Sequence, residues 1–143
     1  MKYIVIVIVM VFMSMQAVML NAQLSTSEEV AQAKKAELNN TEWAVEVTPL
    51  GAKGKIQAES DIVSFADGKF ISRNLEAAGF TAANFSVRVE EDGTAVWETM
   101  QTTENGDVTS WRGTIMQGIM RGNISKRDSR GRTSDFSFSG VRR

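Results

Sequence analysis

The 143-residue chain contains no cysteine and no histidine. Without cysteine there is no disulfide, no thiolate nucleophile and no lipid-modified cysteine after a leader. Without histidine as well, neither a Ser-His-Asp nor a Cys-His triad can be assembled, and structural zinc sites of the Cys/His type are excluded. Charge of one sign is also lacking. The 16 basic residues stand against 17 acidic ones, which leaves no electrostatic footprint for nucleic acid.

What is present begins with a leader. Lys2 precedes an apolar run from Tyr3 to Val11 that extends through Phe12 and Met13 to Leu20, and Asn21 and Ala22 end it. A charged start, an apolar stretch and a small residue before the cut predict a secretory signal peptide over residues 1–22. Ala17 offers an earlier cut. The alternative is an uncleaved anchor, since the run approaches the ~18 apolar residues needed to span a bilayer. Ser14, Gln16 and Asn21 weaken that alternative, and only Lys2 flanks the run. Cleavage predicts a chain of about 121 residues in a periplasmic or extracellular space, with no stable membrane anchor. That length suits one domain with one core. With no covalent staple available, closure of a sheet and apolar packing must hold it together. Three Asn-x-Ser/Thr sequons, at Asn39, Asn84 and Asn123, matter only in a eukaryotic secretory pathway.

The residues that follow read as a short N-terminal helix over 23–40. Thr26 and Glu29 have capping-box spacing, and good helix formers run from Ala31 to Leu38 before Asn39-Asn40 stops them. The apolar face is thin, mainly Val30, Ala33 and Leu38, so the helix is expected to pack loosely as a lid. After Asn40 the period changes from helical to alternating. Trp43, Val45 and Val47 share one face, as do Phe85, Val87 and Val89 later in the chain. Asp67-Gly68, Asp92-Gly93 and Asn105-Gly106 are turn dipeptides between such runs, and Gln117-Gly118 is a fourth break. Leu75 to Gly79 reads as a helical turn ended by glycine. The fold predicted over residues 41–143 is mainly β, a single antiparallel up-and-down barrel of about eight strands. An open sandwich is the alternative. The basic stretch Lys126, Arg127, Arg130, Arg132, Arg142 and Arg143 reads as a solvated hairpin loop and a frayed tail, with a polyanion or membrane site as its rival.

The helix, the Trp43 in the first strand, the consecutive hairpins and the C-terminal arginines together resemble the lipocalin-like (calycin) barrels. The lipocalin Gly-x-Trp is here Thr41-Glu42-Trp43, without the glycine. The resemblance implies that Arg142 or Arg143 stacks on the Trp43 indole. Separately, Trp111-Arg112-Gly113-Thr114-Ile115 and Met120-Arg121-Gly122-Asn123-Ile124 repeat one pattern. Glycines inside strands allow the bends a small barrel needs to close, or bring a ligand close to the wall.

The remaining chemistry is sparse. Glu90, Glu91 and Asp92 cluster at one hairpin, and Glu98, Glu104 and Asp107 flank the next. Neither group has calcium-loop spacing, and a glycosidase needs two facing carboxylates in a cleft, so no catalytic residue, metal or cofactor is predicted. The candidate ligand-binding residues are Trp43, Phe65, Phe85, Trp97, Trp111, Met120 and Phe136, as walls of an interior that takes a small apolar or amphipathic molecule. Met100, Met116 and Met120 either line an adaptable pocket or fill gaps. The competing expectation is a filled core, in a structural or protein-interaction module that uses its outer face or its helix.

Overall fold

The computed structural model describes residues 19, 22, 23, 26–51, 53, 54 and 56–143. The predicted leader over 1–22 and its cut lie almost wholly outside the described residues. No helix of the described residues is long and apolar enough to cross a membrane.

Helix α1 (26–38) leads into eight strands: β1 (Thr41–Pro49), β2 (Glu59–Ala66), β3 (Lys69–Ser72), β4 (Ala83–Val89), β5 (Ala95–Thr102), β6 (Val108–Met116), β7 (Ile119–Arg127) and β8 (Thr133–Arg142). A second helix, α2 (Arg73–Ala77), interrupts the run after β3. Every strand pairs antiparallel with its sequence neighbours, and β8 closes on β1 with Trp43 opposite Arg142 and Pro49 opposite Phe136. The predicted up-and-down barrel is therefore the fold, and closure leaves no unpaired sheet edge.

Alternation dictates the wall. Odd-numbered residues of β1 are buried and even-numbered ones are exposed as far as Val47, and β6 repeats this from Thr109 to Ile115. Turn chemistry sets the register. Gln117 and Gly118 both adopt positive φ, 51° and 76°, the geometry of a two-residue hairpin turn, so Met116 pairs with Ile119.

Both ends of the barrel are shut. At one end α1 buries Leu38 of its last turn, while Val30 and Ala33 are exposed and the Lys35 ammonium lies 5.0 Å from the centre of the Phe85 ring. The expected cap at Thr26 is not formed. Residues 22 and 23 are helical too, and the Thr26 hydroxyl donates back to the Ala22 carbonyl at 2.8 Å instead of accepting from the turn that follows. The tail is not frayed either. Arg142 ends β8, and the Arg143 N–H donates to the Glu42 carbonyl at 2.9 Å.

At the other end α2 lies across the mouth with Leu75 buried. A relay of polar groups holds it. The Ser72 side chain caps the helix by accepting from the Leu75 N–H at 3.1 Å, and its hydroxyl donates to Asp61. The other Asp61 oxygen accepts from the Ile62 and Asn74 N–H groups at 2.7 and 3.1 Å. Bonds to a charged acceptor contribute about 1.5–3 kcal/mol, and losing this one leaves buried donors unpaired. Asp61→Ala is therefore expected to cost about 2–3 kcal/mol in urea unfolding, with Asp61→Asn retaining part of it. An unchanged midpoint for Asp61→Ala would show that α2 closes the mouth without this relay.

Candidate functional site

Inward positions of the strands converge on one aromatic cluster. Phe65 lies 4.8 Å from Phe85 and 5.1 Å from Trp97 between ring centres, both edge to face. Phe70 sits 5.0 Å from Trp97 and 5.1 Å from Trp111. Phe138 completes the cluster at 5.1 Å from Trp111 and 6.0 Å from Trp97. These separations lie within the range of favourable ring contacts, so the rings touch one another across the interior.

The seven candidate residues divide accordingly. Phe65, Phe85, Trp97 and Trp111 belong to this cluster, and Met120 is fully buried beside it. Trp43 stands at the α1 end. Its indole N–H donates to the Thr41 hydroxyl oxygen at 3.0 Å, and that hydroxyl donates to the Leu38 carbonyl at 2.6 Å, so it anchors the helix. Phe136 is half-buried towards the α2 end, under the Lys126 ammonium at 4.7 Å. The expected arginine stack on Trp43 is absent among the described residues, although Arg142 is its register partner. Arg143 turns outward instead and pairs with Glu42 at 3.5 Å, sharing that carboxylate with Arg73. Met100 and Met116 face solvent, and only Met120 of the three methionines fills the core.

Phe70 and Phe138 are the two rings of the cluster outside those seven, and Phe70 is the one whose inward position rests on strand pairing. Its signal is the two-residue Asp67-Gly68 turn, which pairs it directly with Phe65 and so puts both rings on one face. A small pocket at the α2 end runs from Glu59, Asn74 and Lys126 at the rim to Val47, Leu75, Trp111 and Ile124, and has a volume of about 20 Å³. Pockets that take a drug-sized molecule measure ~300–1,000 Å³, while one water needs ~10–15 Å³.

The larger hollows lie on the outside. Strands β5, β6, β7, β8 and β1 present ordered rows across their outer face. One row runs Glu98, Arg112, Asn123, Ser137, Thr48, and the next runs Thr114, Arg121, Ser139, Glu46. Two adjoining grooves of about 650 and 510 Å³ share Arg112 and Asn123. The smaller groove overlies Gly113 and Gly122. Gly113 and Gly122 face inward directly opposite each other, between Trp97 on β5 and Phe138 on β8. With no Cβ to hold them off, the strands rest on the two rings and the outer surface sinks.

Part of the charge on and beside this face is paired. Glu98 pairs with Arg112 at 2.7 Å, and Arg88 pairs with Glu90 at 2.9 Å. Asp92 and Asp128 sit at hairpin turns. The Thr94 backbone N–H holds the Asp92 carboxyl below its ordinary range, and the Arg132 N–H does the same for Asp128. These carboxylates are exposed and occupied by turn hydrogen bonds or arginines. Among the described residues no group of three or more His, Cys, Asp or Glu is placed to hold a metal ion. No family model matches this chain, and no curated protein or solved structure matches it either.

Proposed function

We propose that the chain is an exported, non-enzymatic barrel of lipocalin-like build that carries a filled interior and works by binding a protein through its outer face. The observation that supports this most is the ring cluster. Phe65, Phe70, Phe85, Trp97, Trp111 and Phe138 occupy the space a ligand would need, and they touch one another. Export rests on the Lys2-to-Ala22 leader pattern. The non-enzymatic reading rests on the absence of cysteine and histidine and on carboxylates already engaged at exposed turns. The outer face offers apolar side chains bordered by amides, hydroxyls and paired charges, the mixture typical of protein interfaces.

The test is a titration with a panel of apolar and amphipathic ligands, read by tryptophan emission. Trp97 and Trp111 are already enclosed, so emission is expected to stay constant with every ligand. A saturable shift or quench that disappears in Trp97→Phe would overturn the filled-barrel reading and establish an interior site for a small apolar molecule.

A further inference from the structure

The outer rim of the barrel at the α1 end carries a row of apolar side chains that none of the described residues covers. Register places Met116 beside Ile119, Ile119 beside Val141, Val141 beside Ala44, and Ala44 beside Ile62. Met116, Ile119 and Val141 are 49%, 42% and 56% exposed, and Ala44 is exposed as well. Singly exposed apolar residues are ordinary, but four in one cross-strand line, with the half-buried Ile62 at its end, form a patch.

The next row decides what fits it. Arg121 on β7 and Glu46 on β1 both point outward and are each the register partner of Ser139 on β8, one on either side. Among the described residues neither makes an ion pair: Glu46 accepts only from the Ser60 hydroxyl at 2.6 Å. A positive and a negative group thus stand at equal distance from one strand, each without a charged partner.

We infer that a second copy of this chain docks on this face, about a two-fold axis that runs along β8 in the plane of contact. Such an axis exchanges the two sides of β8. It sets Arg121 of each copy over Glu46 of the other, which makes two equivalent ion pairs. It also sets Val141 on Val141, and Ile119 on Ala44, so that apolar row meets apolar row. A two-fold interface must be self-complementary in this way, with each residue and its partner exchanged between copies. The barrel wall curves away on both sides, which leaves the central strand β8 as the line of closest approach. A different protein would not require Arg121 and Glu46 to be spaced symmetrically about β8; a second copy does. The inference rests on the outer face being the recognition surface, and names the partner.

The experiment is mass measurement by light scattering on the secreted chain, from low micromolar to several hundred micromolar. A concentration-dependent dimer is expected, weakened by salt because the pairs lie at a solvent-exposed rim. Arg121→Glu and Glu46→Arg, both at exposed positions, are each expected to raise the dimer dissociation constant about tenfold or more by opposing like charges. The double variant recreates both pairs with reversed sign and is expected to return to within about threefold of the unaltered chain. Thermal midpoints measured in parallel keep loss of fold apart from loss of pairing. A monomer at every concentration overturns the dimer, as does a double variant no better than either single one. Neither result touches the ligand titration, so the filled outer-face binder can survive when the dimer fails.

Discussion

Replacing Trp97 by alanine is expected to remove about 3–5 kcal/mol of stability, since truncating a fully buried aromatic loses its transfer energy and leaves a cavity. Trp97 is 0% exposed and meets Phe65, Phe70, Trp111 and Phe138. The loss is a large share of the ~5–15 kcal/mol that holds a typical domain. The site cannot collapse to recover it. On one side the indole lies against Gly113, whose backbone has no side chain to swing into the gap, and on the other it is ringed by stiff aromatics. Urea unfolding followed by circular dichroism measures the cost. A cavity of that shape and lining should also admit a flat apolar molecule. Millimolar indole is therefore expected to raise the thermal midpoint of Trp97→Ala and to leave the unaltered chain unmoved. A loss under about 1 kcal/mol would mean that the cluster does not carry the core.

Much of the barrel was legible because two signals agree. Alternation marks each wall, and turn dipeptides mark where the chain reverses. Strand β6 shows both, with alternation unbroken from Thr109 to Ile115 and the Gln117-Gly118 turn directly after it. Thr26 and Glu29 satisfy the capping pattern, but the Thr26 hydroxyl turns back to the Ala22 carbonyl, a contact that a local pattern cannot report. Phe70 escaped notice because β3 has only four residues, too few for a visible period. Its role follows from pairing with Phe65, a relation between strands. The Trp43 stack failed for a similar reason. Register brings Arg142 opposite Trp43 as the resemblance implies, but Arg142 stays exposed at the end of β8 beside a buried indole, and Glu42 draws Arg143 outward. The aromatic residues named as wall candidates do face inward. Whether such rings line a cavity or fill one depends on how closely opposite walls approach, and composition does not contain that distance. The wall glycines do contain part of it. A two-residue turn at Gln117-Gly118 fixes every pair across β6 and β7, and so makes Gly113 and Gly122 partners. That was available in the sequence once the turn type was taken seriously.

Those glycines give the second large effect. Gly122→Ala is expected to cost about 3 kcal/mol or more, at or beyond the upper end for overpacking, because the new methyl meets backbone. A Cβ there would overlap the Arg112 carbonyl oxygen outright and stand 2.7 Å from Gly113 Cα and 2.8 Å from Phe138 Cε1. Rotamers cannot relieve a clash with main chain, so β6 and β7 would have to part, and with them the dished outer face. Gly113→Ala differs in kind. Its Cβ would lie 2.6 Å from Trp97 Cε2 and Nε1, which are side-chain atoms. Trp97→Phe deletes those indole atoms, so Gly113→Ala is expected to cost less in that background than alone, whereas Gly122→Ala should show no such relief. Gly93→Ala serves as the comparison for conformation alone. Its Cβ would meet nothing within 4 Å, and its positive φ of 83° carries a penalty of roughly 1–2 kcal/mol. If Gly122→Ala cost no more than Gly93→Ala, close packing of the wall on Trp97 and Phe138 would not be what shapes this barrel. If Gly122→Ala cost far more, the pair of facing glycines would be the device that lets eight strands close tightly around six aromatic rings.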